Sequence, residues 1–341
     1  MDQRSFDYWE YFADEARRVG SPLYERLSQG IGGDEGLREF ANGVRPGQPP
    51  ANILFAAVHF LLLRGAQHPL RRFYVNLGGS LSGEDPFPAF KDFVETHRAA
   101  LAPLIASHVT NTNEAGRSAI LAVGFRKVAM EAGEPLNLIE IGPSAGLNMI
   151  WDQYAVRYRH GTESIMLGDG DLVLDCELRG EKLPPLGPAP KIASRVGLER
   201  SPVELSDPDA RDWLRALVWP DRVERFTRLE KAIAIYARHK PNIIAGDALM
   251  NLTDAIARVS EDQPVCVYHT SAVYQFTDDM RETLDAILTI AGLRRTIWRL
   301  SLESTQKGDD PLLLYSYRDG KNETLTLGLA HPHGAWLEWL A

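Results

Sequence analysis

The sequence predicts an α/β chain: an all-helical N-terminal domain, then a mostly parallel sheet covered by helices. Three observations carry this. Before residue 132 every strong apolar pattern has helical spacing. After it, short apolar runs alternate with amphipathic helical stretches. The first of those runs, Leu136 to Ile141, ends in a glycine-rich loop. Strand–helix alternation implies a parallel sheet with both faces covered. The expected domains are residues 1–131 and 132–341.

In the first domain Phe6, Trp9, Phe12 and Ala16 recur at three- and four-residue spacing, as one buried helical face requires. Ile53 to Leu63 reads as a buried helix, and Phe90 to Ile105 and Glu114 to Met130 as two more, separated by Thr110-Asn111-Thr112-Asn113. In the second domain a helix is expected from about Ala145 to Tyr158. An irregular insert rich in Gly, Pro and Asp follows at about 159–191, with a strand at Leu172 to Leu178. Ile192 to Leu198, Asn242 to Ala245 and Val265 to His269 are strands; Asp209 to Trp219 and Arg222 to His239 are helices. Thr277 is placed to cap a further helix, which Gly292 ends. Thr296 to Leu302, Leu312 to Tyr317 and Thr324 to Leu329 are the last strands. Asp319-Gly320 is a hairpin signal, and only residues 303–311 join the first two of these strands. A parallel crossover needs a dozen residues or more, so a meander is expected there.

Composition narrows the function. With 44% hydrophobic residues and 24% charged, the 341-residue chain is of ordinary globular type. Its net charge of −9 gives no bulk attraction to nucleic acid or to an anionic membrane. A small-molecule partner is expected; the oligomeric state is not legible. Cys176 and Cys266 form no C-x-x-C pair. The N-terminus shows no signal pattern, and Ala51 to Leu63 is too short to span a bilayer. A cytoplasmic location is expected.

Ligands of parallel sheets bind outside the carboxyl ends of the strands. The residues to weigh are therefore Glu140 to Gly146, Glu199, Asp247 with Ala248, and His269. Gly142-Pro143-Ser144-Ala145-Gly146 supports two readings. As G-x-S-x-G it is a nucleophile elbow, with Asp309 or Asp310 and His331 or His333 completing a triad. That reading lacks the upstream strands that supply an oxyanion hole. As acid-x-Gly-x-x-x-Gly it is a cofactor loop, in which glycine lets the backbone approach a ligand. The dinucleotide fingerprint G-x-G-x-x-G is absent, and Glu140 would repel a pyrophosphate. A carboxylate there suits the cationic amino-acid end of S-adenosylmethionine. Glu199 would then accept the ribose hydroxyls, and Asp247 the adenine amino group.

The segments "TNTNEAGRSAIL", "LIEIGPSAGLNMIWDQYAVRY", "LVWPDRVERFTRLEKAI", "GDAL", "YHTSAVYQF" and "AHPHGAWLEWL" resemble the bacterial family known as domain of unknown function 2332. The likeness runs from about residue 105 to the C-terminus, more loosely upstream. The central segment also resembles class I S-adenosylmethionine-dependent methyltransferases, which implies a Rossmann-like sheet and an S-adenosylmethionine pocket. Against that pattern Ser144 replaces the middle glycine, and Glu140 and Glu199 stand 59 residues apart (199 minus 140), where about 20 is usual in dinucleotide folds. The insert also offers Asp171 and Asp175 as ribose acids.

On this reading Glu140, Gly142, Ser144 and Gly146 shape the methionine end, Glu199 holds the ribose, and Asp247 and Ala248 meet the adenine. His269 is the candidate base. Asn113, Glu114 and Arg117 would reach the acceptor from a helical lid, with Arg117 gripping a carboxylate. Asn113 and Glu114 equally suit a helix start. Tyr274, like Trp219, Tyr268 and Trp336, reads as pocket wall or core. No metal is expected, since His331 and His333 have no evident third ligand. The expected function is methyl transfer to a small-molecule acceptor. The alternatives are a Rossmann-like binding module without catalysis and an α/β serine hydrolase using Ser144.

Overall fold

The computed structural model describes residues 8–80, 83–133, 135–305 and 309–341; Phe6 lies outside them. The chain forms two compact units, Met1–Thr112 with Val203–Glu230, and Asn113–Pro202 with Lys231–Ala341.

The first unit is helical. It contains α1 (Tyr8–Arg18), α2 (Pro22–Gly32), α3 (Glu35–Ala41), α4 (Pro50–Leu63), α5 (Phe87–Thr96) and α6 (Arg98–Ser107). The expected helix from Phe90 to Ile105 is thus two, parted at His97. Pro22 and Pro50 stand at the starts of their helices, where a missing N–H costs nothing. The Asp34 carboxylate accepts from Leu37 N at 3.0 Å and caps α3. α4 is apolar nearly all round, and most of its residues are buried. Trp9, Phe12, Tyr24, Phe55 and Phe90 fill one core, with Tyr24 stacked on Phe55 at 4.3 Å.

The next helix, α7 (Ser118–Ala132), falls in the second unit, not with the helical domain expected to end at residue 131. The cause is packing: a Cβ added at Gly124 would lie 2.6 Å from Leu300. Conversely α8 (Pro208–Ala216) and the start of α9 (Val223–Tyr236) belong to the first unit. Trp213, Ala216 and Leu217 complete its apolar core.

The second unit is built on one sheet of eleven strands. In chain order these are β1 (Leu136–Ile141), β2 (Ala155–His160), β3 (Glu163–Leu167), β4 (Val173–Arg179), β5 (Ile192–Glu199), β6 (Asn242–Ala245), β7 (Val265–Thr270), β8 (Ile297–Leu302), β9 (Asp310–Arg318), β10 (Lys321–Ala330) and β11 (Trp336–Trp339). Helices α10 (Ala248–Ala257) and α11 (Asp278–Ala291) connect β6 to β7 and β7 to β8. The Thr277 side chain caps α11, and Gly292 ends it, as expected. The spatial order is β3-β2-β4-β11-β10-β9-β8-β7-β1-β5-β6. Six neighbouring pairs are parallel and four antiparallel, so the sheet is mostly parallel but mixed.

Two expectations need correction. The helix expected at Ala145 to Tyr158 is a 3₁₀ segment, Leu147–Gln153, followed by β2. Residues 155–160 are a strand because they pair with β4 on one side and β3 on the other. The insert holds more strand than expected, although the strand expected at Leu172 to Leu178 is present as β4. Its β3 forms the sheet edge, and β4 alternates buried and exposed residues along its whole length. The meander is as expected: β8, β9 and β10 are antiparallel neighbours. The β9–β10 turn has Asp319 and Gly320 both left-handed, φ 53° and 73°. β11, four residues long, gave no sequence signal. Among the described residues no helix is long and apolar enough to cross a membrane.

β11 alone joins β4 to β10, and Gly328 permits the junction: a Cβ there would stand 2.3 Å from the Glu338 carbonyl oxygen. Gly328→Ala is expected to lower stability by about 2 kcal/mol or more, as overpacking does. Gly187→Ala, which enters open space, should stay within about 0.5 kcal/mol. Urea unfolding of the two variants checks this.

Candidate functional site

Strand β1 is buried along its whole length and lies between β5 and β7. The chain fills one side of β1 with β5 and β6, then crosses to the other with β7 and β8. The switch point is therefore the gap between β1 and β7, where open parallel sheets bind ligands. Two loops meet there, Gly142–Gly146 after β1 and Ser271–Tyr274 after β7. They touch closely: a Cβ on Gly142 would lie 2.6 Å from the Ala272 Cβ.

Gly142, Ser144 and Gly146 are all left-handed, with φ of 69°, 57° and 85°. For serine this conformation is strained by roughly 1–2 kcal/mol. Hydrogen bonds hold it. Gly142 N donates to Leu198 O at 3.0 Å. Ser144 N donates to Glu199 Oε2 at 2.9 Å, while Ser201 N donates to Glu199 Oε1 at 3.1 Å. Leu147 N donates to Asn113 Oδ1 at 2.9 Å. Asn113 therefore caps the segment after the loop, not the helix that follows it in sequence. Glu114 performs the local role, accepting from Gly116 N at 2.9 Å.

Beside this loop the buried Ser144 Oγ, Asn148 Nδ2 and Trp151 Nε1 have no hydrogen-bond partner among the described residues. The other end of the Asn148 amide is fixed, because Oδ1 accepts from Ser118 Oγ at 2.9 Å.

Glu140 is 1% exposed and accepts from Tyr268 Oη at 3.0 Å. Burial pushes its pKa up to about 8, against the Tyr268 hydrogen bond and the Arg117 charge; Glu199 adds to the rise. At neutral pH this carboxyl is mostly uncharged, where the sequence suggested a carboxylate. Arg117 is buried too, and its Nε donates to Pro332 O at 2.9 Å. Its charge also acts on Asp310, a buried acid whose Oδ2 has no partner and whose pKa is raised, chiefly by burial.

His269 differs from its expected role. Its Nε2 accepts from Arg299 Nε at 3.0 Å, so Nδ1 carries the proton and donates to Glu303 Oε1 at 2.5 Å. Both ring nitrogens are engaged by protein side chains, so neither is free to take a proton from a substrate. Burial holds its pKa below the ordinary histidine value, against the Glu303 charge. Glu303 also accepts from Ala272 N at 3.0 Å and Tyr274 N at 2.9 Å, fixing the loop after β7. Arg299 continues the chain to Asp285 (2.6 Å) and Tyr317 Oη (3.0 Å). Glu303 stands just past a strand, so the rule that selected Glu199 would have found it.

Asp247 caps α10, accepting from Leu249 N at 2.9 Å and Met250 N at 3.3 Å, with Arg200 at 3.5 Å from its other oxygen. Ala248 is the first residue of that helix. Tyr274 is 43% exposed at the rim of the switch point. His331 Nδ1 accepts from His333 N at 3.0 Å within a turn. Among the described residues no group of three or more His, Cys, Asp or Glu side chains is arranged to hold a metal.

The raised pKa of Glu140 fixes the sign of a pH dependence. Its folded value lies above the unfolded one, so the folded chain binds the extra proton and this contribution is full below about pH 4.5. It is lost as pH rises toward about 8, at up to about 1.4 kcal/mol per pH unit. Glu140→Gln is therefore expected to gain stability relative to wild type between pH 5 and pH 8. Urea unfolding of both proteins at each pH tests it; a constant difference would contradict the assignment.

No curated protein and no solved structure matches the chain. A family model described as "Uncharacterized protein conserved in bacteria (DUF2332)" matches residues 7–339. That span is nearly the whole chain, and the protein belongs to the DUF2332 family of bacterial proteins.

Proposed function

We propose that the second unit is a Rossmann-like domain that binds S-adenosylmethionine at the carboxyl ends of β1, β5 and β6, and methylates a small-molecule acceptor. The observation that carries this is the strand order β6-β5-β1-β7-β8, all parallel, with the glycine loop at its switch point. Numbered within the parallel set alone, that order is 3-2-1-4-5, the first five strands of the doubly wound arrangement.

The loop chemistry separates cofactors. In a dinucleotide site the loop and helix N–H groups face a pyrophosphate. Here Ser144 N is given to the Glu199 carboxylate and Leu147 N to Asn113. An anionic phosphate brought to this loop would meet Glu199, whereas a ribose or a sulfonium would not be repelled. Ser144 Oγ, Asn148 Nδ2 and Trp151 Nε1 are buried polar atoms without a partner among the described residues, which supports a ligand beside this loop. When bound, the cofactor supplies an activated methyl group.

The chain's own residues bind and orient. Glu199 fixes the loop through Ser144 N and keeps acceptor capacity for ribose hydroxyls. Glu140 faces the methionine end, Asp247 and Ala248 border the adenine end, and Arg117 and Tyr274 lie toward the acceptor. Asn113 and Glu114 act by shaping the loop and the Arg117 turn. His269 is a positioning residue that holds the loop after β7 through Glu303. In-line methyl transfer is mainly a matter of placement, so no base is required of it.

A second reading has one specific observation behind it. Ser144 is left-handed and its Oγ has no partner, as a strained nucleophile elbow would be. No histidine hydrogen-bonds that oxygen in this structure.

Titration calorimetry separates the two. Saturable binding of S-adenosylmethionine is expected, with none of NAD, and Ser144→Ala should weaken it about tenfold, about 1.4 kcal/mol. A cationic ligand beside Glu140 would drive off its proton, so the enthalpy at pH 7 should vary with the buffer's ionisation enthalpy. Absence of binding, with fluorophosphonate labelling of Ser144, would replace the methyltransferase reading by the hydrolase one.

A further inference from the structure

The loop after β7 is built like the loop after β1. Among the described residues, the left-handed ones that are not glycine are Ser144, Ser271 and Asp319. Asp319 sits in the β9–β10 hairpin, whose turn calls for that conformation. Ser144 and Ser271 stand in the two loops that meet at the switch point, and Ser271, with φ 49°, directly follows β7. A left-handed serine costs stability and persists only where its surroundings impose it.

The bonds that impose it on Ser271 come from the end of β8. Ser271 N donates to Leu302 O at 3.0 Å. Glu303, the next residue, accepts through Oε2 from Ala272 N at 3.0 Å and Tyr274 N at 2.9 Å, and through Oε1 from His269 Nδ1 at 2.5 Å. Glu199 does the same for the other loop, accepting from Ser144 N and Ser201 N. In each case a carboxylate at the end of the adjacent strand fills the amides of a strained turn. The two turns touch, since a Cβ on Gly142 would lie 2.6 Å from Ala272 Cβ. The place of Ala272 therefore sets how closely the loops stand.

We propose that Glu303 is a positioning residue for the ligand site: it holds the Ser271–Ala272 turn against Gly142 as a preformed second wall, at the methionine end of the cofactor. The assignment rests on the S-adenosylmethionine reading. Sheet order divides the site. β7 lies on the side of β1 away from β5 and β6, and its Tyr268 donates to Glu140. Glu199 and Asp247, the ribose and adenine acids of that reading, end β5 and follow β6 on the opposite side. A wall ordered in advance spares the ligand the entropy of ordering it, and the strain at Ser271 is retained for that.

Titration calorimetry with S-adenosylmethionine and adenosine, which lacks the methionine part, tests the role together with thermal unfolding. The groups around the Glu303 carboxylate are all donors, so Glu303→Gln turns an N–H₂ toward one of them. It should weaken S-adenosylmethionine about tenfold or more and adenosine less than about twofold. Ser271→Gly accepts the left-handed turn freely but loosens the unliganded loop. It should not lower the melting temperature, yet should weaken S-adenosylmethionine several-fold; a turn with a purely structural role would leave affinity unchanged. If Glu303→Gln fails to fold, or adenosine binds too weakly to measure, Ser271→Gly decides. Undiminished S-adenosylmethionine binding in the variants, or equal weakening of both ligands by Glu303→Gln, would overturn the positioning role and leave the cofactor reading standing. A folded wild type that binds no S-adenosylmethionine would remove the cofactor reading, and this role with it.

Discussion

A single carboxylate sets the geometry of the sheet's central loop. Glu199, at the end of β5, accepts from Ser144 N and so holds a serine in a left-handed conformation it would otherwise avoid. Parallel pairing of β1 with β5 brings the two residues together, although they are far apart in sequence. With Ser144 pinned, Gly142 can turn against Ala272 and Gly146 can lead into the segment from Leu147. The anion that loops of this shape attract is supplied by the chain itself. The polarity of any ligand is thereby biased before it arrives.

The second unit also buries several ionisable groups. Arg117, Glu140, His269, Arg299 and Asp310 are all shielded from water. Burying charge is costly unless the charges are paired and hydrogen-bonded. The unit answers in two ways. His269, Glu303, Arg299 and Asp285 form one hydrogen-bonded chain, which ties the loop after β7 to α11. Glu140 instead keeps its proton, and Tyr268 donates to it. The first arrangement fixes a loop; the second leaves a proton that a neighbouring cation can displace.

In the candidate site, sequence order was informative and residue role was not. Glu140, Glu199, Asp247 and His269 do stand at adjacent strand ends, as an acid or histidine just past a strand suggests. The same rule could not say what each side chain touches. Asp247 is a helix cap, Glu199 a loop anchor, and His269 the middle of a buried chain. Each of these partners lies on another strand, loop or helix turn that only folding brings near.

The sequence by itself determined the local elements whose signals are local. The apolar runs of the parallel strands, the Thr277 cap, the Asp319-Gly320 turn and the short link that forces a meander are legible because each depends on residues within a few positions. Tertiary structure decided the rest. It assigned α7 to the sheet and residues 203–230 to the helical unit, because buried area, not sequence proximity, determines where an apolar face goes. It turned Ala155–His160 into a strand, since strand β4 offered a partner that no local pattern reveals. And it left Ser144, Asn148 and Trp151 each with a buried polar atom that has no partner among the described residues, a property of packing that no string of residues records.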